Sequence, residues 1–227
     1  MKILMVLTSH QELGNTGIKT GLWFEELAAP YYVFKDAGAD ITLASPAGGL
    51  PPVDPKSEEP DAQSAATERF TNDSEATEKL VHTARLDSVN GAEFDAIFYS
   101  GGHGPLWDLV NDPNSIALIE ATVQAEKPLG LVCHAPSALV NAKASDGRPL
   151  VAGRKVTGFS NSEEQAVGLA DVVPLSIENA FIEEGAFYEK GPDFQPFAVT
   201  DGQLGTGQNP ASSELAAQAV LDLLAKR

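Results

Sequence analysis

Cys133, the sole cysteine of the chain, is followed at once by a histidine in "LGLVCHAPSAL" (129–139). Free cysteine is among the most buried residue types, so packing is one reading of a lone thiol after an apolar run. The other reading is chemical. In a doubly wound sheet, reactive groups gather at the carboxyl ends of strands, and a sharp strand-to-helix turn there exposes a nucleophile. Amides at the start of the following helix favour a thiolate and supply oxyanion donors. His134 is either a satisfied structural histidine or a base whose ring reaches back to the sulfur. "TGFSNSEE" (157–164) offers Glu163 and Glu164 to orient that ring, though either also reads as an ordinary helix-start acid.

Two other stretches carry candidate chemistry. In "YSGGHGPLWDL" (99–109), Gly101, Gly102 and Gly104 allow backbone to approach a ligand, and a plain turn explains them nearly as well. The spacing is not G-x-G-x-x-G and no Walker lysine follows, so nucleotide binding has no support. In "GLWFEELAAP" (21–30), Glu25 and Glu26 lie among Leu22, Trp23, Phe24 and Leu27. A carboxyl buried there has a raised pKa unless it is paired, whereas two solvent-facing acids would be unremarkable. His10, His82, His103 and His134 lack zinc-ligand spacing, so only spatial accident would make a metal site.

The elements that position these residues follow from apolar periodicity. "KILMVL" (2–7), "ADITLAS" (39–45), "FDAIFYSGG" (94–102) and "PLGLVC" (128–133) read as strands buried on both faces. Residues 23–38 and 115–127 read as helices, the first with Pro30 as a kink or restart and a glycine stop at Gly38. "NPASSELAAQAVLDLLAKR" reads as a helix capped by Asn209, with a stripe of Leu215, Ala216, Ala219, Val220, Leu223 and Leu224. The alternation predicts a mostly parallel sheet with helices on both faces, in one domain spanning 1–227. Residues 50–75, rich in proline and acid, read as a loosely packed excursion of the lid or interface kind.

Composition narrows the function classes. With 15 basic and 32 acidic residues the formal charge is −17, which disfavours nucleic acid and anionic membrane surfaces. No stretch approaches the ~20 apolar residues of a membrane span. The opening "MKILMVL" lacks a cleavage pattern, and a single cysteine needs no oxidising compartment, so a soluble cytoplasmic protein is expected.

Taken in order, "KILMVLTS", "TGLWFEELAAPYYVFKDAGADITLASPAGG", "PPVDPKS", "DAIFYSGGHGPLWDL", "LGLVCHAPSAL", "VTGFSNSEE" and "DGQLGTGQNPASS" resemble the ThiJ/PfpI superfamily over nearly the whole chain. "PPVDPKS" and "TGQNPASS" look like its chaperone-type branch, which includes glutathione-independent glyoxalases (glyoxalase III, or D-lactate dehydratase). The resemblance implies a flavodoxin-like three-layer α/β sandwich of the class I glutamine-amidotransferase type. It makes Cys133 the nucleophile, His134 its histidine, Glu26 the acid that hydrogen-bonds the thiol, and Glu164 the triad acid, with Glu163 the near miss. It makes Gly102 and the His134 amide oxyanion donors, with Gly101 beside them, and places His103 in the pocket. It implies a cofactor-free, methylglyoxal-detoxifying lyase acting on a small 2-oxoaldehyde, commonly as a homodimer. A stress-response chaperone or redox sensor, and a small-amide hydrolase or deglycase using the same thiol, stay open as alternatives.

Overall fold

A computed structural model describes all 227 residues. The four apolar runs form neighbouring parallel strands: β1 (Lys2–Val6), β2 (Asp40–Ser45), β4 (Ala96–Tyr99) and β5 (Leu129–Val132). With β3 (Ala84–Arg85), β8 (Ala198–Asp201) and β9 (Leu204–Gly207) they build a seven-stranded sheet in the order β3-β2-β1-β4-β5-β9-β8. Every pairing is parallel except β8 with β9. Val6 pairs with both Ala44 and Tyr99, so the central strands end level and their following loops share one edge. The chain leaves β1 toward β2 and resumes on the other side as β4, the kind of switch point at which doubly wound sheets place their sites.

Side chains alternate across the sheet. Ile3, Met5, Phe98 and Val132 face a core built with helices α1 (Phe24–Asp36), α2 (Ala65–Asn72), α3 (Ser74–Val81) and α7 (Ser213–Leu224). Leu4, Val6, Ile97, Tyr99 and Leu131 face the opposite core, covered by α4 (Pro113–Gln124) and α6 (Ile177–Glu183). Asp112 caps α4 by accepting from the amides of Asn114 and Ser115 at 2.8 and 2.9 Å. A separate pair, β6 (Lys155–Val156) and β7 (Phe187–Tyr188), leads toward the short helix α5 (Asn161–Ala166). No helix is long and apolar enough to cross a membrane.

Several expectations are corrected. Residues 50–75 do not form a loose excursion. Asp54 and Ser64 cap successive helical segments, and α2 presses the fully buried Phe70 against Tyr31 at 5.1 Å. Helix α1 runs unbroken through Pro30, because Leu27, Tyr31 and Phe34 on either side of it are all buried in one core. Leu215 is 47% exposed, since Ala216, Ala217, Val220 and Leu223 turn to the sheet instead. The expected strand through residue 102 ends at Tyr99. Strand β9, "LGTG", was not among the expected strands and runs in the sheet. Its glycines admit helix α7, since a Cβ on Gly207 would lie 3.1 Å from those of Ala216.

Candidate active site

The edge formed by the ends of β4 and β5 gathers the candidate groups. Cys133 follows β5 with φ +61, a left-handed conformation uncommon for any residue with a β-carbon. The structure imposes it from both sides: the Cys133 amide donates to Gly207 O at 2.9 Å, and its carbonyl accepts from the Phe159 amide at 2.8 Å. That strained turn aims the sulfur into a cavity of about 180 Å³. The segment after it is a five-residue 3₁₀ turn, Ala135–Leu139, rather than the expected α-helix, so the dipole acting on the sulfur is small. The His134 amide takes no backbone partner and remains available as a donor at the elbow.

His134 reaches the sulfur as an elbow neighbour can and a strand neighbour cannot: Nδ1 lies 3.3 Å from Sγ. Its Nε2 lies 2.7 Å from Glu164 Oε2, and the other oxygen of that carboxylate lies 2.9 Å from His103 Nε2. Glu164 therefore bridges two histidines whose ring centroids are 3.9 Å apart. Burial raises the Glu164 pKa, but the facing His134 and His103 more than offset it and keep the carboxyl ionised. Burial, with His103 alongside, holds His134 neutral. An ionised acceptor at Nε2 fixes the proton there, which leaves Nδ1 as a lone pair facing the thiol.

Glu26 comes from the first turn of α1 and is fully buried. Its carboxyl rests against the Cys133 sulfur and the amides of Gly101 and Gly102, yet neither oxygen closes a well-formed hydrogen bond. Burial pushes its pKa well above the carboxylate range, so the group is a neutral acid. Burial also raises the Cys133 thiol, contrary to the expected ready thiolate. The resting pair is a neutral thiol against a neutral imidazole. Glu25 points elsewhere and accepts a hydrogen bond from Ser64 at the start of α2.

Gly102 lines the cavity at φ +94, and a Cβ there would lie 2.3 Å from Gly21 O. Gly101 does not line it, correcting that assignment. A Cβ on Gly101 would sit 2.4 Å from Glu26 Oε2, so this glycine makes room for the acid. Trp23, Phe159, Val167, Phe194 and Pro210 complete the walls. A larger groove of about 540 Å³ between α1, α2 and α7 contains none of these groups. His103, His134 and Glu164 offer ligand atoms within 4.8 Å of one another, the spatial cluster that residue spacing did not foretell. Both Nε2 atoms are already committed to the carboxylate.

Sequence reasoning offered Glu163 only as the near miss for the triad acid or as a helix-start acid. Glu163 is not an ordinary helix-start acid: it is wholly buried and accepts from the Ser160 amide and hydroxyl, the Phe194 amide and Asn209 Nδ2. The Ser-x-x-Glu spacing of Ser160 and Glu163, a capping box, was the available signal.

Comparison with known proteins adds a second line. The model of the DJ-1/PfpI family matches residues 20–223. The chain is 32% identical to Glyoxalase 3 of Candida albicans over 231 residues, 97% of each chain. It is 30% identical to the glutathione-independent glyoxalase hsp3101 of Schizosaccharomyces pombe, covering 97% of this chain and 94% of that one. The crystal structure of glyoxalase III from Candida albicans superposes with a TM-score of 0.91 at 30% identity, over 98% of this chain and 97% of the other.

Proposed function

The chain belongs to the DJ-1/PfpI family, and from that premise we propose that it is a glutathione-independent glyoxalase. It converts methylglyoxal, or a similar small 2-oxoaldehyde, to the 2-hydroxy acid with no added cofactor. The observation that carries this reading is a fully buried Glu26 carboxyl, with neither oxygen hydrogen-bonded, beside a thiol whose Sγ lies 3.3 Å from His134 Nδ1. A hydrolase needs an activated nucleophile; an aldose-ketose type of proton transfer also needs a group that can hold a proton and give it back.

In this mechanism His134 Nδ1 takes the thiol proton as Cys133 Sγ bonds to the aldehyde carbon, and the aldehyde oxygen becomes the hemithioacetal hydroxyl. The His134 amide, which has no backbone partner, is the donor to the oxygen as charge develops there, while Gly102, whose amide is turned to Glu26, lines the same cavity. His134 hands the thiol proton to that oxygen and is a base again. It takes the C1 proton while the neutral Glu26 carboxyl gives its proton to the C2 oxygen, forming the enediol. His134 then returns its proton to C2 as the Glu26 carboxylate takes the C1 hydroxyl proton, which restores both groups. The product is a 2-hydroxy thioester on Cys133. Water cleaves its carbon–sulfur bond, giving the acid and the free thiol. Glu164 keeps His134 in the tautomer that each step uses, and His103 braces Glu164. The classification as a lyase, the dependence on cysteine, and assembly as a homodimer all belong to this proposal.

A substrate panel tests the reading. Methylglyoxal in buffer without any thiol should yield lactate, identified as product by proton NMR. Ammonia from small amides, or release of a glycated amine, with no lactate formed, would move the assignment to a hydrolase or deglycase.

A further inference from the structure

Glu163 touches neither the thiol nor His134, yet it is the most heavily hydrogen-bonded carboxylate near the site. Oε2 accepts from the Ser160 amide and hydroxyl at 3.0 and 2.8 Å, and Oε1 accepts from the Phe194 amide and Asn209 Nδ2, each at 2.8 Å. One carboxylate thus ties together the start of α5, the loop through Phe194 and the turn before α7. Each of those segments delivers a wall of the cavity: Val167 ends α5, Phe194 holds the loop, and Pro210 follows Asn209.

Phe194 needs such a restraint. Its φ is +57, which a residue with a β-carbon keeps only where its surroundings impose it. Its ring stays 44% exposed and meets Phe159 edge-on at 6.3 Å, while Phe159 lies 4.3 Å from the His134 ring. An aromatic ladder therefore runs from the catalytic imidazole to solvent. Apart from the catalytic groups and Gly102, the walls are Trp23, Phe159, Val167, Phe194 and Pro210, with no lysine or arginine. A carboxylate or polyol tail placed there would lose its water and gain no partner, in a protein whose charge of −17 already repels anions. The cavity, about 180 Å³, is also larger than a three-carbon aldehyde fills.

We propose that this cavity selects 2-oxoaldehydes bearing an apolar, above all aromatic, substituent, and that Glu163 sets the selectivity by holding Phe194 in the wall. The inference rests on the glyoxalase reading. In it, C1 bonds to Cys133 and the substituent at C2 extends along the Phe159–Phe194 ladder, where edge and face contacts to a ring are available. Phe194 is a specificity residue. Glu163 is a positioning residue.

The test compares kcat/KM for phenylglyoxal, methylglyoxal and glyoxal with the full-length protein and no glutathione. Phenylglyoxal should exceed methylglyoxal by about tenfold, with glyoxal lowest. Phe194→Ala should lower the phenylglyoxal rate about tenfold more than the methylglyoxal rate. Glu163→Gln should shift the same ratio mainly through KM and leave the pH profile of kcat in place, which loss of a catalytic group would not. Asn209→Ala, which removes one of the four donors, should shift the ratio less, and it answers the question if Glu163→Gln does not fold. Phe187→Ser, altering another exposed phenylalanine outside the cavity, should leave the ratio alone. Methylglyoxal turnover with no preference for phenylglyoxal, or a preference untouched by Phe194→Ala, overturns this inference and spares the glyoxalase reading. Turnover of none of the three aldehydes ends both.

Discussion

Replacing Glu26 with glutamine distinguishes a neutral buried acid from an ionised one without changing its shape. Glu26 is fully buried, neither oxygen is well hydrogen-bonded, and burial holds it protonated well above the ordinary carboxylate range. In the unfolded chain it ionises near pH ~4.3. Above that pH, and until the folded carboxyl itself ionises, the folded protein holds one proton more than the unfolded chain. Its raised folded pKa therefore contributes stability at low pH that is lost as pH rises, by about 1.4 kcal/mol per pH unit. Glutamine binds no such proton. Over the pH range above the unfolded value in which the folded acid stays neutral, the variant should gain about 1.4 kcal/mol relative to wild type for each unit of pH. For a chain of this size that widens the difference between their Tm values by about 3–5 °C per pH unit. Thermal melts of both proteins by circular dichroism, at half-unit steps of pH, measure it. Parallel curves would mean that Glu26 is ionised in the folded protein, and the proton transfer assigned to it would fail.

Four further outcomes follow from the same geometry. Glu26→Gln with methylglyoxal should stall after addition, so borohydride trapping and mass spectrometry should find an adduct on Cys133 with no lactate. Glu164→Gln should lower kcat by about 100-fold, because His134 loses the acceptor that fixes its tautomer, and an unchanged kcat would remove Glu164 from the site. Iodoacetamide labelling of wild-type Cys133 should require a pH above that of a free thiol, since burial raises its pKa; ready labelling well below the free-thiol range would contradict it. A homodimer should appear in light scattering at micromolar concentration; a mass near 23.9 kDa throughout that range would contradict it.

The parts legible in the sequence were those with a local pattern. Apolar runs such as "KILMVL" and "PLGLVC" mark buried parallel strands because both faces of such a strand must be apolar, and Cys133 at the end of one already raised the possibility of an elbow. Strand β9 was hidden because its glycines, needed for the approach of α7, look like a turn. Residues 50–75 misled through their prolines, which here begin short 3₁₀ turns instead of preventing structure. The bridge from His103 to His134 through Glu164 joins residues far apart in the chain, so no spacing encodes it. The residues offered the pairs Glu25/Glu26 and Glu163/Glu164, resemblance chose Glu26 and Glu164 within them, and packing shows that Glu26 is the fully buried member of its pair. Glu163 was undervalued because its partners Phe194 and Asn209 lie on separate segments.

The most direct test of the central claim follows methylglyoxal by proton NMR in the absence of glutathione, for the wild-type protein and Cys133→Ala side by side. The far-ultraviolet circular dichroism of the two should coincide, because the change removes one sulfur from the wall of an existing cavity. The wild-type protein should convert the aldehyde to lactate and the variant should produce none. Lactate formed by Cys133→Ala at the wild-type rate would contradict the account.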